Sequence, residues 1–316
     1  MSALLAVDGG QTGLRVAVVE RGAPVEVTEV AGFSHRSADG WVGVASAVAR
    51  ARDALSVRGP VERVCLGLTG APRPRELKER LGALISDRLD GAEVWLGGDM
   101  VTAHAGALGG EPGVVVAAGT GTVVLGVAAD GTTHRADGLG YLLGDDGSGF
   151  AIGRAGIRAA LRAREGRGPA TTLLAAATTF FEGLDDLPHR VYSSASPVRD
   201  LAAFAPAVAD AARAGDEVAR AIWREAVDAL ASSTAAVVRR TFADAGPGSV
   251  AVSHSGRLFL AVDFLLEPFR DAMAQRCGEA RYREPAGDSL AGAARLAQDG
   301  LGRYASLMHA TPGGVA

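Results

Sequence analysis

Two short segments rich in glycine and threonine constrain the fold of this chain most. VDGGQTG at residues 7–13 and AAGTGTV at 117–123 each lie between runs of β-branched and aliphatic residues, 110 positions apart. A hairpin with glycine at its tip lets backbone N–H groups approach a phosphate, and a threonine hydroxyl adds a donor with little bulk. Either segment alone fits an ordinary hairpin turn equally well. Together they predict a duplicated fold whose two loops bind one polyphosphate.

Length and composition narrow the class of protein. A chain of 316 residues exceeds the usual size of one compact core, so we expect two domains. The net charge of −4 argues against nucleic acid as the main partner, and no run of eighteen apolar residues predicts a membrane span. Cys65 and Cys277 show neither zinc-binding nor disulfide spacing, which fits a protein of the reducing cytoplasm.

The first 112 residues read as one domain of order βββαβαβ. Residues 4–19 predict a strand, a turn and a strand, and residues 24–32 continue as a third antiparallel strand. Helical spacing at 41–56 leads into a buried strand at 61–68, and a second helix at 72–85 precedes a strand at 92–99.

Residues 113–316 read as a second domain that begins with the same three strands. Helices then dominate at 151–182, 199–214 and 216–245, as a helical insertion. A strand at 249–256, a helix over 257–276 and a strand in EARYREP follow. A helix near 288–300, which could pack back on the first domain, precedes a loose tail, ATPGGVA.

Asp99 is the first candidate for chemistry. It follows a predicted parallel strand, and the carboxyl ends of such strands form the edge at which open α/β sheets bind ligands. The neighbouring Gly97 and Gly98 leave room for a small substrate. The same position also fits the N-cap of the helix that starts VTAHAGAL, and the two roles are compatible.

The segment DGLGYLLGDDGSGFAIG, residues 137–153, combines six glycines with acidic residues. Such a composition brings backbone close to a hydroxylated ligand. It lacks the acidic spacing and the closing Glu of a calcium-binding EF-hand. Neither a Walker P-loop nor a GxSxG hydrolase motif occurs in the sequence.

In this order, the motifs resemble the actin-like sugar kinases, in the branch that joins eukaryotic-type N-acetylglucosamine kinases with the BadF/BadG/BcrA/BcrD ATPases. VDGGQTG resembles the first phosphate loop of that family, GGD at 97–99 its catalytic segment, and AAGTGT its second phosphate loop. GLGYLLGDDGSG is similar to the family motif GWGxxLGDEGS, SHSGRLF takes the place of the adenosine loop, and DSLAGAARLA resembles the closing helix.

The resemblance implies two duplicated actin-like (ribonuclease H-like) α/β domains, each with a mixed five-stranded sheet, and a cleft between them. It implies a kinase that uses ATP and Mg²⁺ to phosphorylate the 6-hydroxyl of an amino sugar, most directly N-acetylglucosamine. Asp99 would take the proton of that hydroxyl, and Asp8 would hold Mg²⁺ through water. A cytoplasmic homodimer with a small-molecule substrate, and with no nucleic acid or membrane partner, is expected. The remaining residues implied are, for ATP, Gly9, Gly10, Gln11, Thr12, Gly119, Thr120, Gly121 and Gly256, and for the sugar, Asp99, Gly138, Gly140 and Asp145.

Departures from the family pattern fall mainly on the sugar side. Leu139 replaces the Trp of GWG, and the 34–41 segment lacks the expected sugar-binding Asn. Glucosamine and N-acetylmuramic acid therefore stay open as substrates, as does a regulator that kept the fold and lost phosphoryl transfer. An activator ATPase with an iron–sulfur cluster is disfavoured, because the two cysteines form no cluster pattern.

Overall fold

The computed structural model describes residues 2–10, 13–32, 40–57 and 59–314. The chain forms two compact units, and each is built from more than one segment. The first contains Met1–Val115, Leu125–His134 and Arg283–Ala316, and the second contains Val116–Val124 and Arg135–Tyr282. The C-terminal residues thus belong to the same unit as the N-terminal ones.

The sheet of the first unit has six strands in the order β11-β5-β4-β1-β2-β3. The first three strands form an antiparallel meander, whereas β4 and β5 run parallel to β1. The sheet is therefore mixed, as predicted. Its strands are β1 (Ala3–Gly9), β2 (Gly13–Glu20), β3 (Ala23–Ala31), β4 (Val61–Leu68), β5 (Glu93–Gly98) and β11 (His309–Thr311).

Alternating side chains of this sheet enter two separate apolar cores. Leu5 and Val7 pack with residues of the two long helices on one face, whereas Ala6 and Cys65 pack on the other. This alternation follows from the two-residue period of a strand. The helices of the unit are α1 (Gly40–Asp53), α2 (Arg75–Arg88), α3 (Asp99–Ala107) and α11 (Ser289–Asp299).

The sixth strand corrects the prediction of a five-stranded first sheet, and it corrects the predicted loose tail at Ala310 and Thr311. Residues His309–Thr311 form β11, which pairs antiparallel with β5 from His309 opposite Leu96 to Thr311 opposite Val94. Edge pairing satisfies backbone donors and acceptors that β5 would otherwise expose, so a segment with no strand pattern becomes ordered.

The second sheet has the order β10-β9-β6-β7-β8. The first three strands of this sheet, β6, β7 and β8, form a meander. Strand β9 lies beside β6, and β10 lies beyond β9 and runs parallel to it. In the first sheet β4 and β5 lie beside β1 in the same order. The shared order shows that the two halves are duplicates. The strands are β6 (Gly113–Ala118), β7 (Thr122–Val127), β8 (Thr133–Asp137), β9 (Val250–Ser255) and β10 (Ala280–Tyr282).

Helices make up most of the rest of the second unit. The segment predicted as one helix over 257–276 is a 3-10 turn at Arg257–Leu260, a π turn at Val262–Leu266 and a helix only from Glu267. Pro268 lies at the start of that helix, where its missing N–H costs nothing. The helices are α4 (Gly149–Arg164), α5 (Leu173–Phe180), α6 (Leu187–Ser193), α7 (Pro197–Ala202), α8 (Ala205–Arg213), α9 (Glu217–Thr241) and α10 (Glu267–Arg276).

Among the described residues, no helix is both long enough and apolar enough to cross a membrane.

Candidate active site

The first glycine loop closes the hairpin between β1 and β2. The N–H of Gly10 donates to the carbonyl oxygen of Gly13 at 2.9 Å, and Asp8 lies directly opposite Arg15 in the register. Two of the predicted ligands, Gln11 and Thr12, fall outside the described residues. The loop therefore presents Asp8 at the end of β1, with its Oδ2 accepting a 2.5 Å hydrogen bond from Arg15.

Asp99 lies at the same edge of the sheet, immediately after β5. The hydroxyl of Thr69 donates a 2.6 Å hydrogen bond to its Oδ2, and the N–H of Thr69 donates to the carbonyl oxygen of Gly9 at 2.8 Å. Thr69 therefore connects the first loop to Asp99. The parallel arrangement of β1, β4 and β5 brings these residues together, because their carboxyl ends meet at one edge.

Asp99 is the first residue of α3, and the N-cap position belongs to Gly98, which has no side chain. The alternative in which Asp99 acts as the N-cap is therefore wrong. Burial raises the pKa of Asp99, the hydrogen bond from Thr69 opposes that rise, and the negative charge of Asp8 adds to it. A carboxylate whose pKa is raised is a stronger proton acceptor, as a general base requires.

Replacement of Thr69 by valine should move the acid limb of the pH–rate profile to higher pH. The hydroxyl stabilises ionised Asp99, so its loss raises the pKa of Asp99 further, and protonation then removes the base at a higher pH. We expect kcat/KM of Thr69→Val to fall earlier on acidification, whereas Thr69→Ser keeps the donor and the wild-type profile. If kcat/KM of Thr69→Val fell at the same pH as in the wild type, this hydrogen bond would have no part in tuning the catalytic base.

The second glycine loop, Gly119 to Gly121, joins β6 to β7 in the second unit. The N–H of Gly119 donates to the carbonyl oxygen of Gly121 at 2.9 Å, which closes a tight turn. No described atom lies within 4 Å of the place that a Cβ on Gly119 would take. The carbonyl oxygens of Gly119 and Thr120 accept N–H groups from Gly149 and Phe150, at 2.8 and 3.2 Å, so the loop is attached to the start of α4.

The glycine-rich segment 137–153 folds against this second loop. Asp145 is buried, and its Oδ1 accepts the N–H of Thr122 at 3.2 Å. Burial raises the pKa of Asp145, the bond from Thr122 opposes this, and the charges of Asp137 and Asp146 raise it further. Asp137 in turn accepts the N–H groups of Asp145 and Asp146 at 2.6 and 2.8 Å, and so fixes the turn between them.

The glycines of this segment occupy positions that other residues tolerate poorly. Gly138 and Gly140 have φ angles of 68° and 84°. A Cβ on Gly138 would lie 3.0 Å from Val123, whereas a Cβ on Gly140 would meet no described atom within 4 Å. Gly138 is thus favoured by its backbone angle and by tight packing against Val123, and Gly140 presents open backbone.

Gly256 belongs to the same group of loops in the second unit. It follows β9 with a φ of 100°, and a Cβ there would overlap the carbonyl oxygen of Ala118, the last residue of β6. The adenosine-loop candidate therefore touches the second phosphate-loop candidate. Of the predicted site residues, Asp8, Gly9, Gly10 and Asp99 lie together in the first unit, and Gly119, Thr120, Gly121, Gly138, Gly140, Asp145 and Gly256 lie in the second.

Each unit, taken by itself, has a feature that fits a nucleotide or its magnesium ion. Thr122 is buried, and its hydroxyl has no hydrogen-bond partner among the described residues, so the second loop carries a polar group that a ligand could satisfy. No group of three metal-binding side chains occurs in the described part of the chain. Mg²⁺ is commonly held by one or two carboxylates together with substrate phosphates and water, and Asp8 can supply such an oxygen.

Four residues of this arrangement were absent from the sequence predictions, namely Thr69, Arg15, Asp137 and Asp288. Two of them had a readable signal. Thr69 follows β4 as Asp99 follows β5, and Arg15 lies across the predicted hairpin from Asp8. Asp288 reaches Arg15 over 273 positions, which sequence spacing does not indicate.

Comparison with known proteins identifies the family of the chain. The model of the BadF/BadG/BcrA/BcrD ATPase family matches residues 5–297. The chain belongs to this family. The predicted family resemblance is thereby confirmed.

Relatives of the chain include two curated sugar kinases. An N-acetylmuramic acid/N-acetylglucosamine kinase of Clostridium acetobutylicum is 27% identical over 74% of this chain and 76% of its own length. An N-acetyl-D-glucosamine kinase of Dictyostelium discoideum is 30% identical over 57% of this chain and 58% of its own.

A solved structure confirms the predicted fold class of this BadF/BadG/BcrA/BcrD family member. A candidate N-acetylglucosamine kinase from Chromobacterium violaceum superposes with a TM-score of 0.73. It is 28% identical, and the match covers 94% of this chain and 99% of that one. The duplicated α/β architecture with two mixed sheets is therefore that of the actin-like sugar kinases.

Proposed function

We propose that this chain is an ATP-dependent kinase that phosphorylates the 6-hydroxyl of an amino sugar, most directly N-acetylglucosamine. The observation that carries the proposal is the contact of Thr69 with both Asp99 and Gly9. It places a carboxylate of raised pKa beside a glycine loop, which is what transfer from a polyphosphate to a hydroxyl requires. The sugar kinases among the relatives support this class of reaction.

In the proposed reaction the oxygen of the sugar hydroxyl forms a bond to the γ-phosphorus of ATP, and Asp99 accepts the proton of that hydroxyl. The bond from that phosphorus to the β,γ-bridging oxygen breaks, and ADP leaves. Backbone N–H groups of the two glycine loops position the phosphates and offset their charge. Mg²⁺, when bound near Asp8, neutralises charge on the phosphates.

We assign contacts with the hydroxyl groups of the sugar to Gly138, Gly140, Asp145 and Asp99. The residues that we propose to bind ATP are Gly9, Gly10, Gln11, Thr12, Gly119, Thr120, Gly121 and Gly256. A homodimer also stays a prediction. The 34–41 segment, a second candidate for sugar selection, lies at 34–39 outside the described residues.

A second substrate, N-acetylmuramic acid, is favoured by one relative and one residue. The Clostridium acetobutylicum protein is named as a kinase of both sugars. Leu139, which replaces the family Trp, is 55% exposed beside the Gly144 turn. A smaller side chain there leaves room for the lactyl ether of a muramic acid.

Screening ADP release over a panel of sugars tests the proposal. We expect ADP release that depends on N-acetylglucosamine, glucosamine or N-acetylmuramic acid and is absent with glucose or with ATP alone. A protein that binds ADP in calorimetry yet releases none with any amino sugar would instead be a non-catalytic regulator of the same fold.

Restoring the aromatic residue should narrow the substrate range. One lost contact in a sugar pocket is worth about 1–3 kcal/mol, or about five- to 150-fold in selectivity. We therefore predict a broad amino-sugar profile in the wild type and a shift of kcat/KM toward N-acetylglucosamine in Leu139→Trp. Leu142→Trp is the matched control, because Leu142 is exposed on the same segment. Strict wild-type selectivity that Leu139→Trp leaves unchanged would place specificity elsewhere.

A further inference from the structure

Arg15 of the first unit bridges two carboxylates that are distant in sequence. Its Nη2 donates to Oδ2 of Asp8 at 2.5 Å, and its Nη1 donates to Oδ2 of Asp288 at 2.8 Å. Asp8 is the carboxylate assigned above to the metal, whereas Asp288 lies at the start of α11. The planar guanidinium therefore fixes the orientation of Asp8 relative to a helix from the far end of the chain.

Asp288 is itself held in place. Its Oδ1 accepts the N–H of Ala291 at 3.0 Å, so it is the N-cap of α11. The helix packs against α3 without room for side chains, because a Cβ on Gly292 would overlap the carbonyl oxygen of Thr102 and one on Gly106 would overlap that of Asp288. Each oxygen of Asp288 thus has a defined partner on a fixed helix.

The next residue of α11 is connected to the other carboxylate of the site. Ser289 Oγ lies 2.7 Å from Thr102 Oγ1, which donates to the backbone carbonyl oxygen of Asp99 at 3.0 Å. The start of α11 therefore contacts both sides of the candidate site, the Asp8 side through Arg15 and the Asp99 side through Thr102. A role in global stability alone does not explain the Arg15 bridge, since partly exposed ion pairs contribute little to the free energy of unfolding.

We propose that Arg15, held by Asp288, is a positioning residue that keeps the Asp8 carboxylate oriented for the magnesium–nucleotide complex. The inference rests on the proposed function, because it takes the metal role of Asp8 from there. A carboxylate on a strand can rotate about its side-chain bonds even when its backbone is fixed, and the guanidinium selects one orientation. Groups that orient a metal-binding carboxylate in this way commonly change metal affinity or activity by about ten- to a hundredfold when removed.

Two readouts test the proposal in the full-length protein. The first is the affinity for ADP in calorimetry, with Mg²⁺ and with EDTA, expressed as a ratio. The second is kcat for ADP release with the best sugar. Arg15→Met and Asp288→Asn should each lower the Mg²⁺-dependent ratio and lower kcat by about tenfold or more. Affinity for ADP in EDTA should stay at the wild-type value.

The choice of Asp288→Asn separates positioning from helix capping. Asparagine caps helices about as well as aspartate, so α11 keeps its N-cap and loses only the charged acceptor for Arg15. Asp216→Asn is the matched control, because Asp216 caps α9 in the second unit and accepts the N–H of Ala219 at 2.9 Å. It should leave both readouts unchanged. Arg15→Lys keeps the charge without the two-armed fork and should not restore the wild-type ratio.

A double variant decides whether Asp288 acts through Arg15. The combined Arg15→Met, Asp288→Asn protein should have the kcat of Arg15→Met alone, since the second change removes nothing further. The proposal would be overturned if the losses in kcat of the two single variants multiplied in the double variant. It would also be overturned if Arg15→Met kept the wild-type ratio of ADP affinities with Mg²⁺ and with EDTA. If the wild type phosphorylates no amino sugar, the proposed function fails, but the Mg²⁺ ratio still decides the role of Arg15. The positioning proposal would be overturned if the wild type bound ADP with the same affinity in Mg²⁺ and in EDTA.

Discussion

Asp99→Asn should retain nucleotide binding and lose about a hundred- to ten-thousandfold in turnover, the range typical of removing a general base. The amide cannot accept the proton of the sugar hydroxyl at neutral pH. The hydrogen bond from Thr69 can persist to the amide oxygen, so the local structure should be little disturbed. Turnover is measured by coupled ADP release and affinity by calorimetry with ADP.

Asp90→Asn provides a matched control for this substitution. Asp90 lies in the exposed turn after α2 with a φ of 54°, a backbone conformation that asparagine tolerates well. It should show wild-type turnover. Near-normal turnover in Asp99→Asn would remove Asp99 from catalysis and leave it only the contact with Thr69.

Gly119→Val should fold normally and bind nucleotide weakly. No described atom lies within 4 Å of the position that its Cβ would take, so the added Cβ itself meets no neighbour in the protein. It would occupy the volume into which a phosphate must come to reach the loop N–H groups. A clash of 1–3 kcal/mol corresponds to a loss of about five- to 150-fold in ADP affinity.

The comparison of glycine variants makes this prediction specific. Gly246→Val is the control, because Gly246 lies in the loop before β9 and also has no described atom near its Cβ position. Its melting temperature and its ADP affinity should match the wild type. Gly256→Ala should instead lower the melting temperature, since its Cβ would overlap the backbone of Ala118. Unchanged ADP affinity in Gly119→Val would exclude the second loop from the nucleotide site.

Much of the fold was predictable because its signals are local. The order βββαβαβ follows from alternating apolar residues and from glycine turns, and each of its strands and helices occurs within a few residues of its predicted place. Strand β11 was missed, because three residues with no alternation pair with β5 only through contacts distant in sequence. The break within 257–276 was missed, because Pro268 was not read as the start of a helix.

Some residues of the candidate site were predictable from the sequence, and others were not. Asp99 was predictable from its position after a parallel strand, and Asp8 from its place beside a glycine loop. The partners that tune them were harder to find. Thr69 and Arg15 require strand neighbours to be known, and Asp288 requires the packing of a helix from the other end of the chain. Sequence motifs thus indicated the groups that we propose to react, and the tertiary structure supplied the neighbours that hydrogen-bond to them.

Identification of the phosphorylated product tests the proposed function most directly. The protein is incubated with ATP, Mg²⁺ and N-acetylglucosamine, and the product is analysed by proton–phosphorus correlation NMR. The account predicts one new phosphorus signal coupled to the two protons on carbon 6, with an equal amount of ADP. A phosphorus coupled to the anomeric proton, or release of inorganic phosphate alone, would contradict it.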